Sequence, residues 1–107
     1  IEGWATLCEE VWLPINQLGD REGLKFEDGK ITMPQEFKDA YRKGIDEGWL
    51  STTCELEHGG MGVPLFSQAV TWAEFGTSAC MALSVLPALS IGVYEVLVKH
   101  GRQDLID

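Results

Sequence analysis

Twenty consecutive residues, Phe75 to Tyr94 (FGTSACMALSVLPALSIGVY), carry no charge, although the whole chain of 107 residues holds 8 Lys or Arg and 17 Asp or Glu. Such a run has to lie in lipid, in a protein core, or against an apolar ligand. Its length is that of a bilayer-spanning helix. Its composition argues otherwise: Pro87 sits near the centre, Ser78, Ser84 and Ser90 dilute it, and Glu74 and Glu95 bracket it with no basic N-terminal flank. No membrane span is expected. Within the run, Ser84, Ala88 and Gly92 form a small-residue stripe at four-residue intervals beside Leu83, Pro87 and Ile91. A stripe of this kind leaves room for a neighbouring helix or for an apolar ligand, and spacing leaves both open.

The remaining composition narrows the class. A formal net charge of −9 removes the basic stripe that nucleic-acid binding requires. The length fits one domain with one modest core. Lys38, Arg42 and Lys43 share a helix face and read as a solvated surface paired with Asp39, Asp46 and Glu47. Cys8, Cys54 and Cys80 are odd in number and lack framework spacing, which points to a reducing compartment; the expected location is cytoplasmic, or the mitochondrial matrix if the source is eukaryotic. The opening IEGWATLCEEVW has neither a basic n-region nor an apolar h-region, so no signal peptide is read there. Starting at Ile1 and stopping at Asp107, the chain is expected to be a fragment.

The periodicity predicts an all-α chain, a small helical bundle over 1–107, with one short β-hairpin near 25–32. Leu7, Val11, Ile15 and Leu18 mark a first amphipathic helix over about 4–18, kinked by Pro14 and stopped by Gly19. Asp28-Gly29 between Phe26 and Ile31 is a hairpin turn signal. Thr32 is expected to cap a second helix, with Pro34 in its first turn and Phe37, Tyr41, Ile45 and Trp49 as its inner face. Residues 50–64 form the main loop. A third helix follows over about 64–76, with Leu65, Phe66, Ala69, Val70 and Ala73 inward. The uncharged run gives a fourth and fifth helix broken near Pro87, the last ending at Lys99-His100-Gly101.

No self-contained active site emerges. Cys54 and His58, with Glu55 and Glu57 nearby, fall short of a convergent metal set or a nucleophile–base–orienter triad. Gly59-Gly60-Met61-Gly62 lacks the lysine and spacing of a phosphate-binding loop. Glu9-Glu10 and Asp46-Glu47 read as solvated helix faces.

Gly48-Trp49, then Leu56-Glu57-His58-Gly59-Gly60-Met61-Gly62-Val63-Pro64, then a helix ending Ala73-Glu74-Phe75, the uncharged run, and His100-Gly101-Arg102-Gln103-Asp104 together resemble the N-terminal domain of the acyl-CoA dehydrogenase family. The segment LPINQLGDREGLKFEDGKITMP is similar to the extended N-terminal region of the branch that includes 3-methylmercaptopropionyl-CoA dehydrogenase. Leu56 stands where the family usually has proline, and Ala73 where the first of two glutamates usually stands; neither position is catalytic in the family. The resemblance implies a flavoenzyme in which a C-terminal-domain glutamate removes the α-proton of an acyl-CoA and the β-hydride passes to FAD. It implies an acyl-CoA substrate, electron-transfer flavoprotein as partner and a homo-oligomer. The flavin contacts and the base are implied to lie outside 1–107, so this stretch alone is expected to be inactive. By position, Leu83, Ser84, Pro87 and Ile91 would line the acyl pocket. The competing reading is a non-enzymatic helical module that binds an apolar ligand or partner helix through the same surface. Either way, the Met81–Tyr94 face is expected to be an exposed apolar surface.

Overall fold

The computed structural model describes residues 1–101 and 103–105, and it is mostly helical with one small hairpin. Helix α1 (Glu2–Leu7) runs through a π-helical stretch, Cys8–Trp12, directly into α2 (Leu13–Glu22). The proline expected to kink this helix explains the stretch. Pro14 has no N–H and its ring crowds the carbonyl four residues back, and the ladder ahead of it widens, with the Leu13 N–H bonded to Cys8 O. The helix does not stop at Gly19. It continues to Glu22 and ends at Gly23, whose φ of 61° is the left-handed stop. Gly19 has a different purpose: a Cβ there would lie 2.3 Å from the Phe37 ring.

Strands β1 (Lys25–Glu27) and β2 (Lys30–Thr32) pair antiparallel, with Phe26 opposite Ile31. Asp28 and Gly29 take φ of 50° and 75° in the two-residue turn, as a primed hairpin turn requires. Thr32 does not cap the next helix; it stays in the strand, and Pro34 occupies the N-cap of α3 (Gln35–Asp46). The buried ridge of α3 is Ala40 and Gly44, with Phe37 and Tyr41 half-buried beside it and Ile45 turned outward, so the expected stripe is rotated. Arg42 pairs with Asp46 at 3.2 Å and Lys43 with Glu47 at 2.5 Å on the solvated side, while Asp39 accepts from Gln35.

After the loop, α4 (Leu65–Val70), a second π-helical stretch (Thr71–Gly76) and α5 (Thr77–His100) follow without interruption by other elements. The inner side here is not the expected one. Leu65, Phe66, Ala69, Val70 and Ala73 are exposed, and Gln68, Trp72, Phe75 and Gly76 turn inward. The break in the apolar run lies at Cys80, with φ −156° and ψ 99°, and Pro87 is accommodated within the helix. At that corner the chain folds back tightly: a Cβ on Gly76 would lie 3.6 Å from the Ser84 Cβ, although eight residues of straight helix would span about 12 Å. The last turn closes as predicted at His100, with the Gly101 N–H bonded to Leu97 O.

The core is a seam between α1, its π stretch and the corner. Trp4, Leu7, Cys8, Trp12, Ala40, Ala79, Cys80 and Leu83 fill it. Trp4 and Trp12 meet edge to face at 5.1 Å, and Trp72 lies 4.8 Å from Trp4 and 5.9 Å from Trp12, separations at which aromatic pairs add to plain burial. The molecule measures 40 × 38 × 19 Å.

Candidate functional site

An apolar groove of about 710 Å³ runs between the end of α2, the start of α3 and the first half of α5. Leu24, Met33, Phe37, Tyr41, Leu83 and Leu86 supply its apolar lining, while Asn16, Asp20 and Lys38 also border it. The close approach of Gly19 to Phe37 sets the spacing at which α2 and α3 flank it. Its size and chemistry are those of a small-molecule site: apolar walls with few polar groups.

The four residues expected to line an acyl pocket are placed differently. Leu83 is fully buried and forms part of the groove floor. Ser84 points into the corner instead, with Oγ donating to Met81 O at 2.9 Å and 3.4 Å from Thr77 Oγ1. Pro87 is buried one turn on, and Ile91 is half-buried a turn beyond that. Leu83, Pro87 and Ile91 thus succeed one another along one line of α5, grading from buried to half-exposed. Of the small-residue stripe, only Ser84 is buried; Ala88 is exposed, and a Cβ on Gly92 would meet nothing within 4 Å. Alongside that line, Met81, Val85, Leu86, Leu89, Val93 and Val96 face outward and form the expected apolar surface. Phe37 and Tyr41 were legible as a helix face, but nothing local in the sequence joins them to Leu83.

The loop holds the other candidates. The His58 ring is edge-on to Tyr94 at 5.8 Å, and the Glu55, Glu57 and His58 ligand atoms lie within 4.8 Å of one another. Glu55 and Glu57 are exposed, so the cluster is open to water. Cys54 does not join it as a ligand, and burial together with Glu95 raises its thiol pKa. Burial, then the Glu9 carboxylate, pushes the Cys8 thiol up to about 11. Neither is an activated nucleophile.

The glycine-rich turn is occupied by its own chain. The N–H groups of Gly60, Met61, Gly62 and Val63 bond to the carbonyls of Glu55, Ser51, Cys54 and Thr52. A Cβ on Gly60 would lie 2.1 Å from Cys54 O. These amides are therefore spent within the loop and offer no cradle to a phosphate.

The family model for the acyl-CoA dehydrogenase N-terminal domain matches residues 7–106. The 3-methylmercaptopropionyl-CoA dehydrogenase of Ruegeria pomeroyi is 35% identical over 101 residues, which cover 94% of this chain and 17% of that protein. The chain thus spans about a sixth of the curated relative's length. Of the final motif, Arg102 lies outside the described residues.

Proposed function

The chain belongs to the acyl-CoA dehydrogenase family as an N-terminal domain, and from that premise we propose that it walls the acyl pocket of an enzyme that introduces an α,β double bond into an acyl-CoA thioester. The carrying observation is the line Leu83–Pro87–Ile91 on the uncharged part of α5, with Leu83 flooring a groove large enough for an aliphatic chain. Ser84 supports the wall from behind by holding the corner closed. An apolar wall of this kind binds and orients; it contains no acid, base or nucleophile, and burying a chain there excludes water from the neighbouring reaction.

FAD is the cofactor that the family reading brings with it. The glycine-rich loop does not fit its pyrophosphate, because the loop amides are already bonded within the chain. The proposal therefore assigns flavin binding and the base to other parts of the whole enzyme. On the same reading, electron-transfer flavoprotein accepts the electrons and the whole enzyme is a homo-oligomer. Three free cysteines support a reducing compartment, the cytoplasm or, in a eukaryote, the mitochondrial matrix.

Leu65–His100 is long and apolar enough to cross a membrane by length and composition. The Cys80 corner and the burial of Leu83, Ser84 and Pro87 on one side favour a helix packed on its own domain. The outward face of α5 favours one rival, a non-enzymatic module that docks a partner helix. The whole protein separates the two: the enzyme reading expects a yellow protein that reduces an acceptor dye when given acyl-CoA. A colourless protein without turnover would sink it.

A further inference from the structure

The hairpin sorts its residues strictly by face. Phe26 stands opposite Ile31, and they are 72% and 66% exposed. The neighbouring cross-strand pairs, Lys25 with Thr32 and Glu27 with Lys30, are polar and project to the other side of the ribbon. A two-stranded ribbon is marginal by itself, and one whose apolar face meets water lacks the burial that would steady it.

The flanking residues show where that face leads. Successive residues of an extended chain alternate sides, so Leu24 and Met33, one step beyond the Lys25–Thr32 pair, return to the side of Phe26 and Ile31. Leu24 and Met33 line the 710 Å³ groove. Lys25 and Thr32 take no part in it and border a different, smaller cleft of about 150 Å³. The apolar face of the hairpin is thus continuous with the groove wall and carries it about 7 Å past Leu24.

We propose that Phe26 and Ile31 bind the far end of a long aliphatic acyl chain whose nearer part fills the groove, so that the hairpin sets the preference for chain length. The proposal rests on the acyl-pocket reading and gives it a substrate class. A cavity of about 150 Å³ accepts benzene, so 710 Å³ leaves room for far more than a short acyl group. An aromatic ring beside a branched aliphatic side chain rewards contact in proportion to the apolar area removed from water. Each methylene laid along that surface strengthens binding by up to about fourfold. A partner protein would have to cover the face without entering the groove beside it. A chain that already occupies the groove reaches the face along the same wall.

The test is calorimetric binding of butanoyl-, octanoyl- and hexadecanoyl-CoA to the whole protein without an electron acceptor. Affinity is expected to rise from butanoyl to hexadecanoyl. Phe26→Ser combined with Ile31→Ser should weaken hexadecanoyl-CoA by about tenfold and leave butanoyl-CoA within about twofold of the parent. Both side chains are exposed, so the fold is kept. Lys30→Ser, on the other face, should change neither. Tighter binding of butanoyl-CoA by the parent, equal loss for both thioesters, or no loss for hexadecanoyl-CoA would overturn the proposal. So would an altered oligomeric state in the double variant without a chain-length effect, which would make the face an interface between copies. Leu86→Glu, inside the groove, separates the two readings. If it weakens octanoyl-CoA while hexadecanoyl-CoA ignores the hairpin substitutions, only the hairpin's role falls; if octanoyl-CoA is unmoved, the acyl groove falls as well.

Discussion

His58 Nδ1 stands 3.1 Å from the Tyr94 hydroxyl, which also accepts the Glu55 N–H at 2.9 Å. With one acceptor site on the oxygen used by Glu55, the hydroxyl proton is available to Nδ1 of a neutral His58. Two residues of the loop are thereby tied to the last residue of the uncharged run. Tyr94→Phe removes both bonds and keeps the ring. It should cost about 1–2 kcal/mol, and amide exchange at Glu55 should quicken more than at Leu83. Unchanged protection at Glu55 would show that the tie does not hold the loop.

Two glycines on the same helical stretch should respond oppositely to alanine. At Gly76 a Cβ would stand 3.1 Å from the Trp4 ring, so Gly76→Ala should lower stability by about 1–3 kcal/mol through overpacking. At Gly92 nothing lies within 4 Å, and Gly92→Ala should raise stability by up to about 1 kcal/mol. Chemical denaturation of both variants checks the pair; equal effects would mean that the corner is looser than its geometry implies.

Side chains on the two sides of α5 should differ just as clearly. Leu83→Ala opens a cavity in the seam and should cost about 2–5 kcal/mol. Leu89, 72% exposed, packs against nothing comparable, so Leu89→Lys should stay within about 0.5 kcal/mol of the parent. The lysine variant should also bind less hydrophobic dye and self-associate less, read by light scattering. Unaltered association would place the adhesive surface elsewhere.

Stability should fall in alkali because of Cys8. Its pKa is raised from an ordinary value of 9.0 to about 11 in the fold, so the folded chain keeps a proton that the unfolded chain releases. The contribution is full below pH 9 and is lost as pH climbs from 9 towards 11. Urea midpoints for the parent should drop across that window, and Cys8→Ala should lessen the drop. Parallel curves would remove Cys8 from the account.

How far the sequence could be read depended on how local the cause was. Asp28-Gly29 announced the hairpin because the turn's φ values are a property of those two residues. The Arg42–Asp46 and Lys43–Glu47 pairs followed from helical spacing alone. The inner face of 64–76 departs from the expected one because that segment contains a π-helical stretch, which shifts the inward side away from a 3.6-residue period, whereas Leu7, Val11 and Ile15 do face the core. Trp72 joins Trp4 and Trp12 in the seam from 60 residues beyond Trp12, outside any local pattern. The corner was sought at Pro87, yet Cys80 adopts extended backbone that any residue tolerates. At the groove, the meeting of Leu83 with Phe37 and Tyr41 depends on tertiary contact alone.

A helix with its side chains is about 10 Å across, so a body 19 Å thick is two helices deep and no more. Such a plate has one interior seam, and here the tryptophans take it. The outer side of α5 can then be only half of an enclosure. A molecule resting on it would be sheltered on one side by this plate and on the other by whatever surface closes over it. Substitutions at Leu89 or Val93 could accordingly retune that enclosure while the seam, and with it the fold, stays as it is.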